Sequence, residues 1–377
     1  MFKERFLKKA LEQRQSKGIL RSLSLNHNSA KVDFASNDYL GISRMGCCSL
    51  KAGFSSRNAK GSTGSRLLTG HSSTYEKLEE EIAKFHKVES ALVCNSGYAA
   101  NMGLISSVAF PEDRILYDTH VHSSILDGIR LSRAKAFPFK HNDLNHLKRR
   151  LETKHPGNTF VCTESLFSMN GSLSPLKQIA KLCSENEALL IVDEAHSGGL
   201  YGEYGEGLVP YLGLQKSVFA TVYTFGKAFG IFGAAITGSS LLKEYLVNYC
   251  RPLVYSTALP PLIVEEIRHS YRCVEKASKD REYLNSLISY FQELTEKHML
   301  RRAFPSQTCI QPMLFPGADN AKRASSLCQN AGFDVRSIVS PTVQKNCEIL
   351  RICLHSFNTL QEVSLLLELL NSANKIT

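Results

Sequence analysis

No uninterrupted run of about 18 apolar residues occurs anywhere in the sequence, so nothing in it reads as a transmembrane helix. The opening MFKERFLKKALEQRQ lacks the apolar core of a secretory signal. It alternates Phe2, Phe6, Leu7 and Leu11 with charges, which predicts an amphipathic helix. The 11 cysteines contain no C-x-x-C pair and their number is odd, so the expectation is reduced thiols in a cytoplasm. Blocks of five or more Lys/Arg, zinc-finger spacings and basic–aromatic tracts are missing, which argues against nucleic acid as a partner. The net charge of +10 fits an anionic small molecule or an acidic carrier instead. Gly226-Lys227-Ala228 lacks the hydroxyl residue and the upstream glycine of a P-loop. No G-x-G-x-x-G opens a helix after a strand, and no G-x-S-x-G occurs, so dinucleotide folds and nucleophile-elbow hydrolases are unsupported. His120 and His122 have no carboxylate or Cys partners at ligand spacing, so no metal is expected.

The sequence does have material for a large core, with 377 residues, 43% of them hydrophobic, including 19 Phe and 14 Tyr. GSTGSRLLTGHSS (61–73) reads as a loop, and Ser73 or Thr74 is placed to cap the helix YEKLEEEIAKFHK. From about residue 90, apolar strands alternate with amphipathic helices: ALVCN, RILYD, AKAFPF, TFVCTES, ALLIVDEAH, SVFATVYTF and GAAITGSS are the strands. This predicts an α/β fold, a mostly parallel sheet covered by helices, with ligands gathered at the carboxyl ends of its strands. RPLVYSTALPP, with three prolines, is not expected to form a regular helix. Beyond it come long helical stretches (262–300), then IQPMLF, FDVRSI and EILRICL as strands and a last helix at VSLLLELLNSA, a smaller α+β domain. The expected organisation is an N-terminal helix and arm (1–45), a large domain (46–250) and a small C-terminal domain (251–377).

Three segments carry chemistry. In TVYTFGKAFGIFGAAI, Lys227 lies between two strand-like runs among Gly226, Gly230 and Gly233. Partial desolvation there would lower its pKa and make the amine a nucleophile for a Schiff base, although a plain loop lysine also fits. In ALLIVDEAHSGG, Asp193 ends an apolar strand and His196 follows three residues later. Asp193 could pair with the pyridine nitrogen of pyridoxal 5'-phosphate (PLP) and His196 with its phenolic oxygen, or Asp193 could be an ordinary N-cap. In CNSGYAAN, the backbone N–H groups of Ser96, Gly97 and Tyr98 could face an anion, or the segment is an ordinary strand-to-helix turn.

SNDYLG (36–41), GSTGSRLLTGH (61–71), NSGYAAN (95–101), FKHND (139–143), TESLFSMNGSLSPL (163–176), VDEAHSGG (192–199), TFGKAFG (224–230) and YSTALPP (255–261) together resemble, in order, the α-oxoamine synthase family of fold-type I PLP enzymes. The resemblance runs over about residues 1–360. It implies a large PLP-binding domain with a mostly parallel sheet and a small α+β C-terminal domain. Lys227 matches the family's Schiff-base lysine, which also shuttles the Cα proton. Asp193 matches the pyridine-nitrogen partner, His196 the phenolic-oxygen partner, and His122 a histidine stacked on the ring's face. Gly97, Tyr98 and Thr224 match the phosphate site, Ser168 a residue lining the cofactor, and Ser256 and Thr257 a segment that reaches the partner subunit's phosphate. A homodimer with shared active sites is thereby implied. Arg21 matches an arginine that grips the acyl chain's carboxylate, and Thr342 and Arg351 match substrate residues of the small domain.

YSTALPP with TFGKAFG favours the branch that condenses L-alanine with pimeloyl-CoA or pimeloyl-acyl-carrier protein over the glycine-using branches. The chain departs from the family at 339–346, where VSPTVQKN replaces R-P-P-T-V-P-x-G, and at 349–351, where ILR replaces R-L-R. Tyr75 stands where a His is common. These departures lie on the acyl and small-domain side, which keeps open an α-oxoamine synthase that uses glycine or serine with another acyl thioester. A non-catalytic carrier-binding protein on the same scaffold is the reading from another class. The intact Lys227, Asp193 and His196 speak against it.

Overall fold

The computed structural model describes residues 4–21, 23, 31–46 and 60–376. Phe2, Cys47, Cys48 and most of the weakly patterned stretch 42–60 lie outside the described residues. Contacts divide the chain into two units. One comprises Asn37–Ser168 and Leu173–Arg281; the other comprises Met1–Ser36, Met169–Ser172 and Glu282–Thr377.

The larger unit is built on seven strands: β2 (Ser90–Cys94), β3 (Arg114–Asp118), β4 (Lys135–Phe139), β5 (Thr159–Glu164), β6 (Leu189–Asp193), β7 (Ala220–Thr224) and β8 (Ala234–Gly238). Their order is β2-β8-β7-β6-β5-β3-β4. All neighbours are parallel except β8, which runs antiparallel to both β2 and β7. β5 is buried at every position, as expected of a parallel strand covered on both faces. Alternate residues serve opposite layers. Phe160, Cys162 and Ile191 pack with Leu104 and Ile125, whereas Val161, Leu190 and Val192 pack with Leu147, Leu151 and Ile179. These partners come from helices α3 (Gly97–Val108), α4 (Ser123–Ser132), α5 (Leu144–Glu152) and α6 (Leu176–Glu185). Pro138 is tolerated because β4 is the outermost strand of its side of the sheet, where a missing N–H breaks no ladder.

The strand predictions from sequence hold throughout this unit, and three details differ. The helix α2 (Ser73–Phe85) is preceded by Ser72 as its N-cap rather than by Ser73 or Thr74. The first four residues of the proline-rich segment, Arg251–Val254, do form one helical turn, with Pro252 in its first turn where an N–H has no helical partner. The third concerns residues 251–281, which group with the larger unit although the sequence pattern places them in the small domain. The helix Pro261–Lys276 buries Val264, Ile267, Tyr271 and Val274. The Tyr271 ring joins Phe85, Phe225 and Phe229 in an aromatic cluster, and that burial ties the helix to the sheet unit.

The other unit contains β1 (Val32–Asp33) paired in parallel with β10 (Phe333–Asp334), and a three-stranded antiparallel sheet. That sheet has the order β11-β12-β9, with β9 (Ile310–Leu314), β11 (Arg336–Ile338) and β12 (Ile349–Cys353). The amphipathic N-terminal helix is present as α1 (Arg5–Ser16), with no buried residue.

His86, at the end of α2, ties several parts of the larger unit together. Its ring is fully buried and stacks on Tyr223 with centroids 3.6 Å apart. Nδ1 lies 2.8 Å from the Glu206 carbonyl, so this nitrogen carries the proton, and Nε2 accepts from the Tyr271 hydroxyl at 3.0 Å. Burial lowers the imidazole's pKa to about 3. The folded protein therefore keeps His86 neutral while the unfolded chain protonates it below about 6.5. Its contribution to stability is complete above that pH and is lost as the pH falls toward about 3, at roughly 1.4 kcal/mol per pH unit. Urea unfolding at pH 7.5 and pH 5 should show the wild type losing about 2 kcal/mol more than His86→Gln over that interval. Equal losses in the two proteins would refute the assignment.

Candidate active site

Four acidic or hydroxyl side chains end neighbouring strands at the carboxyl edge of the sheet: Asp118 on β3, Glu164 on β5, Asp193 on β6 and Thr224 on β7. This is the edge where parallel sheets bind ligands. Asp193 is 5% exposed. Its Oδ1 accepts from the Ala195 N–H at 2.8 Å and its Oδ2 from Asn101 Nδ2 at 2.7 Å. The residues after it form turns rather than a helix, so Asp193 is no helix cap but the head of an Asx turn. His196, also buried, places Nδ1 2.7 Å from the Tyr39 hydroxyl, and Tyr39 donates to Asn37 Oδ1 at 3.0 Å.

Glu164 is the register partner of Asp193 on the adjacent strand. Burial, together with the Asp193 carboxylate beside it, pushes the Glu164 carboxyl well above the ordinary carboxylate range. Its Oε1 accepts from the His122 backbone N–H at 2.6 Å. His122 caps α4, with Nδ1 accepting from the Ser124 N–H. Partial desolvation holds its imidazole below the usual histidine pKa; nearby Asp193 opposes the shift and Lys227 adds to it. Lys227 lies in the turn after β7, half-buried, within electrostatic reach of both His122 and Glu164. That turn folds back through a Gly230 N–H to Lys227 carbonyl bond of 2.8 Å. Gly230 has φ +64°, and a Cβ there would collide with the backbone of Ser43.

The other end of this group of residues is the start of α3. Ser96 is the N-cap, its side chain accepting from the Ala99 N–H at 3.2 Å. The N–H groups of Gly97 and Tyr98, the next two, have no helical partner and suit an anion. A Cβ on Gly97 would collide with Thr224 Oγ1, so only glycine lets the helix start abut the end of β7. Tyr98 is exposed and its hydroxyl donates to Asp127, which raises the phenol's pKa. Its ring meets His122 edge-on, centroids 6.1 Å apart. Thr257 is exposed and accepts through its carbonyl from Asn95 Nδ2 at 2.9 Å, two residues before Gly97; Ser256 beside it is half-buried. Ser168 is half-buried in the turn after β5.

The fold therefore gathers Lys227, Asp193, His122, Gly97, Tyr98 and Thr224 in one unit, with donors for an anion at one end and a carboxylate beneath a solvent-reached imidazole. These groups fit a phosphate-bearing pyridine cofactor. Arg21, Thr342 and Arg351 belong to the other unit. Arg21 and Thr342 are exposed; Arg351, on β12, is half-buried and donates to Cys353 Sγ at 2.9 Å. Sequence reasoning missed Glu164, Asn101, Tyr39 and Ser124. The first three sit inside motifs quoted for other residues, TESLFSMNG, NSGYAAN and SNDYLG, but nothing in their spacing marks them. Among the described residues no group of three His, Cys, Asp or Glu is placed to hold a metal ion.

The family model for aminotransferase class I and II matches residues 29–367. The 8-amino-7-oxononanoate synthase of Emericella nidulans is 35% identical over 386 residues, covering 96% of this chain and 93% of that protein. The crystal structure of 8-amino-7-oxononanoate synthase from Francisella tularensis superposes with a TM-score of 0.81 at 31% identity, covering 93% of this chain and 99% of its own. A serine palmitoyltransferase of Sphingomonas wittichii superposes with a TM-score of 0.91 at 25% identity, covering 99% and 98%.

Gly97→Ala should destabilise the protein by about 2 kcal/mol, because the added methyl overpacks against Thr224. Adding Thr224→Ala in the same chain should recover most of that loss. Urea midpoints of the two variants check this, and an undisturbed Gly97→Ala would show that the contact is not tight.

Proposed function

We propose a function from one premise: the chain belongs to the 8-amino-7-oxononanoate synthase family, PLP-dependent enzymes within aminotransferase class I and II. It is a PLP-dependent acyltransferase. The reaction we infer is the decarboxylative condensation of L-alanine with a pimeloyl thioester, of CoA or of a carrier protein, giving 8-amino-7-oxononanoate, CO2 and the free thiol, a step of biotin biosynthesis. The observation that carries this reading is the assembly of Lys227, Asp193 and His122 around one strand edge, with the open helix start at Gly97 beside it.

Bound PLP supplies an electron sink for the negative charge that develops at the amino acid's Cα. The chain's own residues do the rest. Lys227 Nζ is the amine that would hold the cofactor covalently and take the Cα proton. Asp193 keeps a proton at the pyridine nitrogen, and its two hydrogen bonds with Ala195 and Asn101 fix where its oxygens stand. With PLP bound, His196 would serve the phenolic oxygen, and His122 would cover the ring and screen it from water. The Gly97 and Tyr98 N–H groups and Thr224 would hold its phosphate, and Ser168 would flank the ring. Arg351 and Thr342 receive the amino acid's carboxylate and neighbouring groups. Arg21 receives the acyl chain's distal carboxylate, which a guanidinium meets bidentately.

The enzyme works as a homodimer in this reading. The larger unit exposes the loop residues Leu67, Leu68, Phe232 and Tyr255, at 51%, 80%, 59% and 74%, apolar surface that a second subunit would cover. Ser256 and Thr257 lie beside Tyr255 and would complete the partner's phosphate site. The nine described cysteines are free, which suits a reducing cytoplasm. No described helix is long and apolar enough to cross a membrane.

A second reading, condensation of serine with another acyl thioester, is favoured by the structural likeness to serine palmitoyltransferase and by the departures at 339–346. Purified enzyme with PLP should release free thiol from pimeloyl-CoA with L-alanine at least tenfold faster than with glycine or serine, a specificity within reach of one small side chain. Lys227→Ala should abolish that release. Faster turnover with serine and a long-chain thioester would replace the alanine reading. Appreciable turnover by Lys227→Ala would sink the assigned role of the lysine.

A further inference from the structure

We propose that Asn101 and Ser124 are positioning residues: they form a hydrogen-bond chain of fixed polarity from Asp193 to His122, holding the imidazole as its Nε2–H tautomer. Asn101 is 2% exposed, on the second turn of α3. Its Nδ2 donates to Asp193 Oδ2 at 2.7 Å and to Ser124 Oγ at 3.1 Å. Ser124 Oγ lies 2.8 Å from His122 Nδ1.

The direction of every bond follows from the first. A carboxylate only accepts, so the amide must turn its NH2 toward Asp193; the opposite flip would set Asn101 Oδ1 against Asp193 Oδ2. With one amide hydrogen on Asp193, the other goes to Ser124 Oγ. That oxygen gives its own hydrogen to His122 Nδ1, the nitrogen that already accepts from the Ser124 backbone N–H. The backbone bond, at 3.3 Å, agrees in direction; the hydroxyl at 2.8 Å is the shorter of the two bonds. Nδ1 is therefore unprotonated, and the ring's proton sits on Nε2, away from α4's first turn. His122 meets no described hydrogen-bond partner at Nε2, which leaves that N–H to a ligand.

The arrangement has a visible cost. Asn101 Oδ1 is buried and has no hydrogen-bond partner. A buried acceptor left unmade is unfavourable, and in native proteins such an atom calls for a reason. The reason here is that both donors of the amide are committed to Asp193 and Ser124. A second tie runs in parallel, from the His122 backbone N–H to Glu164, which is register partner to Asp193. The charged and titratable groups around the imidazole are Asp193, Glu164 and Lys227 on the strand-end side and Tyr98, whose ring meets it edge-on from α3. The chain makes the group above the cofactor ring and the group at its nitrogen one unit. This inference rests on the reading that PLP lies between them.

The test uses the full-length protein with and without PLP. Two-dimensional 1H–15N spectra of the imidazole report the His122 tautomer, and titration of the visible cofactor band reports PLP affinity. The wild type should show the Nε2–H form. Ser124→Ala and Asn101→Ala should each give a tautomer mixture, although Asn101 does not touch His122; Ser124→Thr, which keeps the hydroxyl, should restore the single form. Asn101→Ala should weaken PLP binding about tenfold and Ser124→Ala about threefold, with the double variant no weaker than Asn101→Ala alone, the signature of one shared pathway. An unchanged tautomer in both variants, or effects on PLP that multiply, would overturn the proposal. A wild type that binds no PLP would instead remove the cofactor reading, while the tautomer spectra of the metal- and cofactor-free protein still decide the chain. Should Asn101→Ala fail to fold, Asn101→Ser and the Ser124 pair carry the same comparison.

Discussion

Burying a carboxylate is unfavourable by several kcal/mol unless its oxygens are met by donors, and Asp193 is buried at the end of the central strand of the sheet. The rest of the site is arranged around meeting that condition. One oxygen is satisfied locally, by the Asx turn that stops β6 from running into a helix. The other is satisfied from a different layer, by Asn101 on α3. That second bond ties α3, whose start carries Gly97 and Tyr98, to the end of β6. The close approach of that start to Thr224 is the reason position 97 holds glycine.

The acidic residues near Asp193 show how one sheet edge assigns different states to similar groups. Glu164, beside it on β5, is raised well above the ordinary range by burial and by Asp193's charge. Glu194, the next residue along the chain, is raised to about 7 by burial, opposed by hydrogen bonds from Ser197 and from the backbone N–H groups of Val209 and Leu208. Glu194 anchors the short turn of helix at Leu208–Tyr211 and so belongs to the scaffold behind the site. Asp193 takes one donor from its own turn and one from α3, and lies at the strand end. Environment, rather than residue type, sets where each of these acidic side chains is held and what meets its oxygens.

Much of the fold was legible in the sequence because the strands of a sheet covered by helices are written as short apolar runs, and seven strands occur between residues 90 and 238. Strand ends were legible too, since Asp193 and Lys227 interrupt apolar runs where few polar residues belong. The placement of residues 251–281 was not. A proline-rich segment looks like a boundary, yet the helix after it carries Tyr271 into the aromatic cluster of the sheet unit, and packing between distant segments leaves no local mark.

By itself the sequence determined the layer architecture, the strand-end position of the chemistry and, through ordered motifs, the family. These are local or periodic properties, set by which residues alternate and where apolar runs stop. Only the tertiary structure decided that Asn101 spans from Asp193 to Ser124, that Glu164 supports His122, and that Gly97 faces Thr224 across the helix–strand junction. Those contacts join residues 23 to 127 positions apart in the chain. Their existence depends on the pitch of a helix over the sheet and on burial that makes an unmet hydrogen bond expensive, neither of which any single segment encodes.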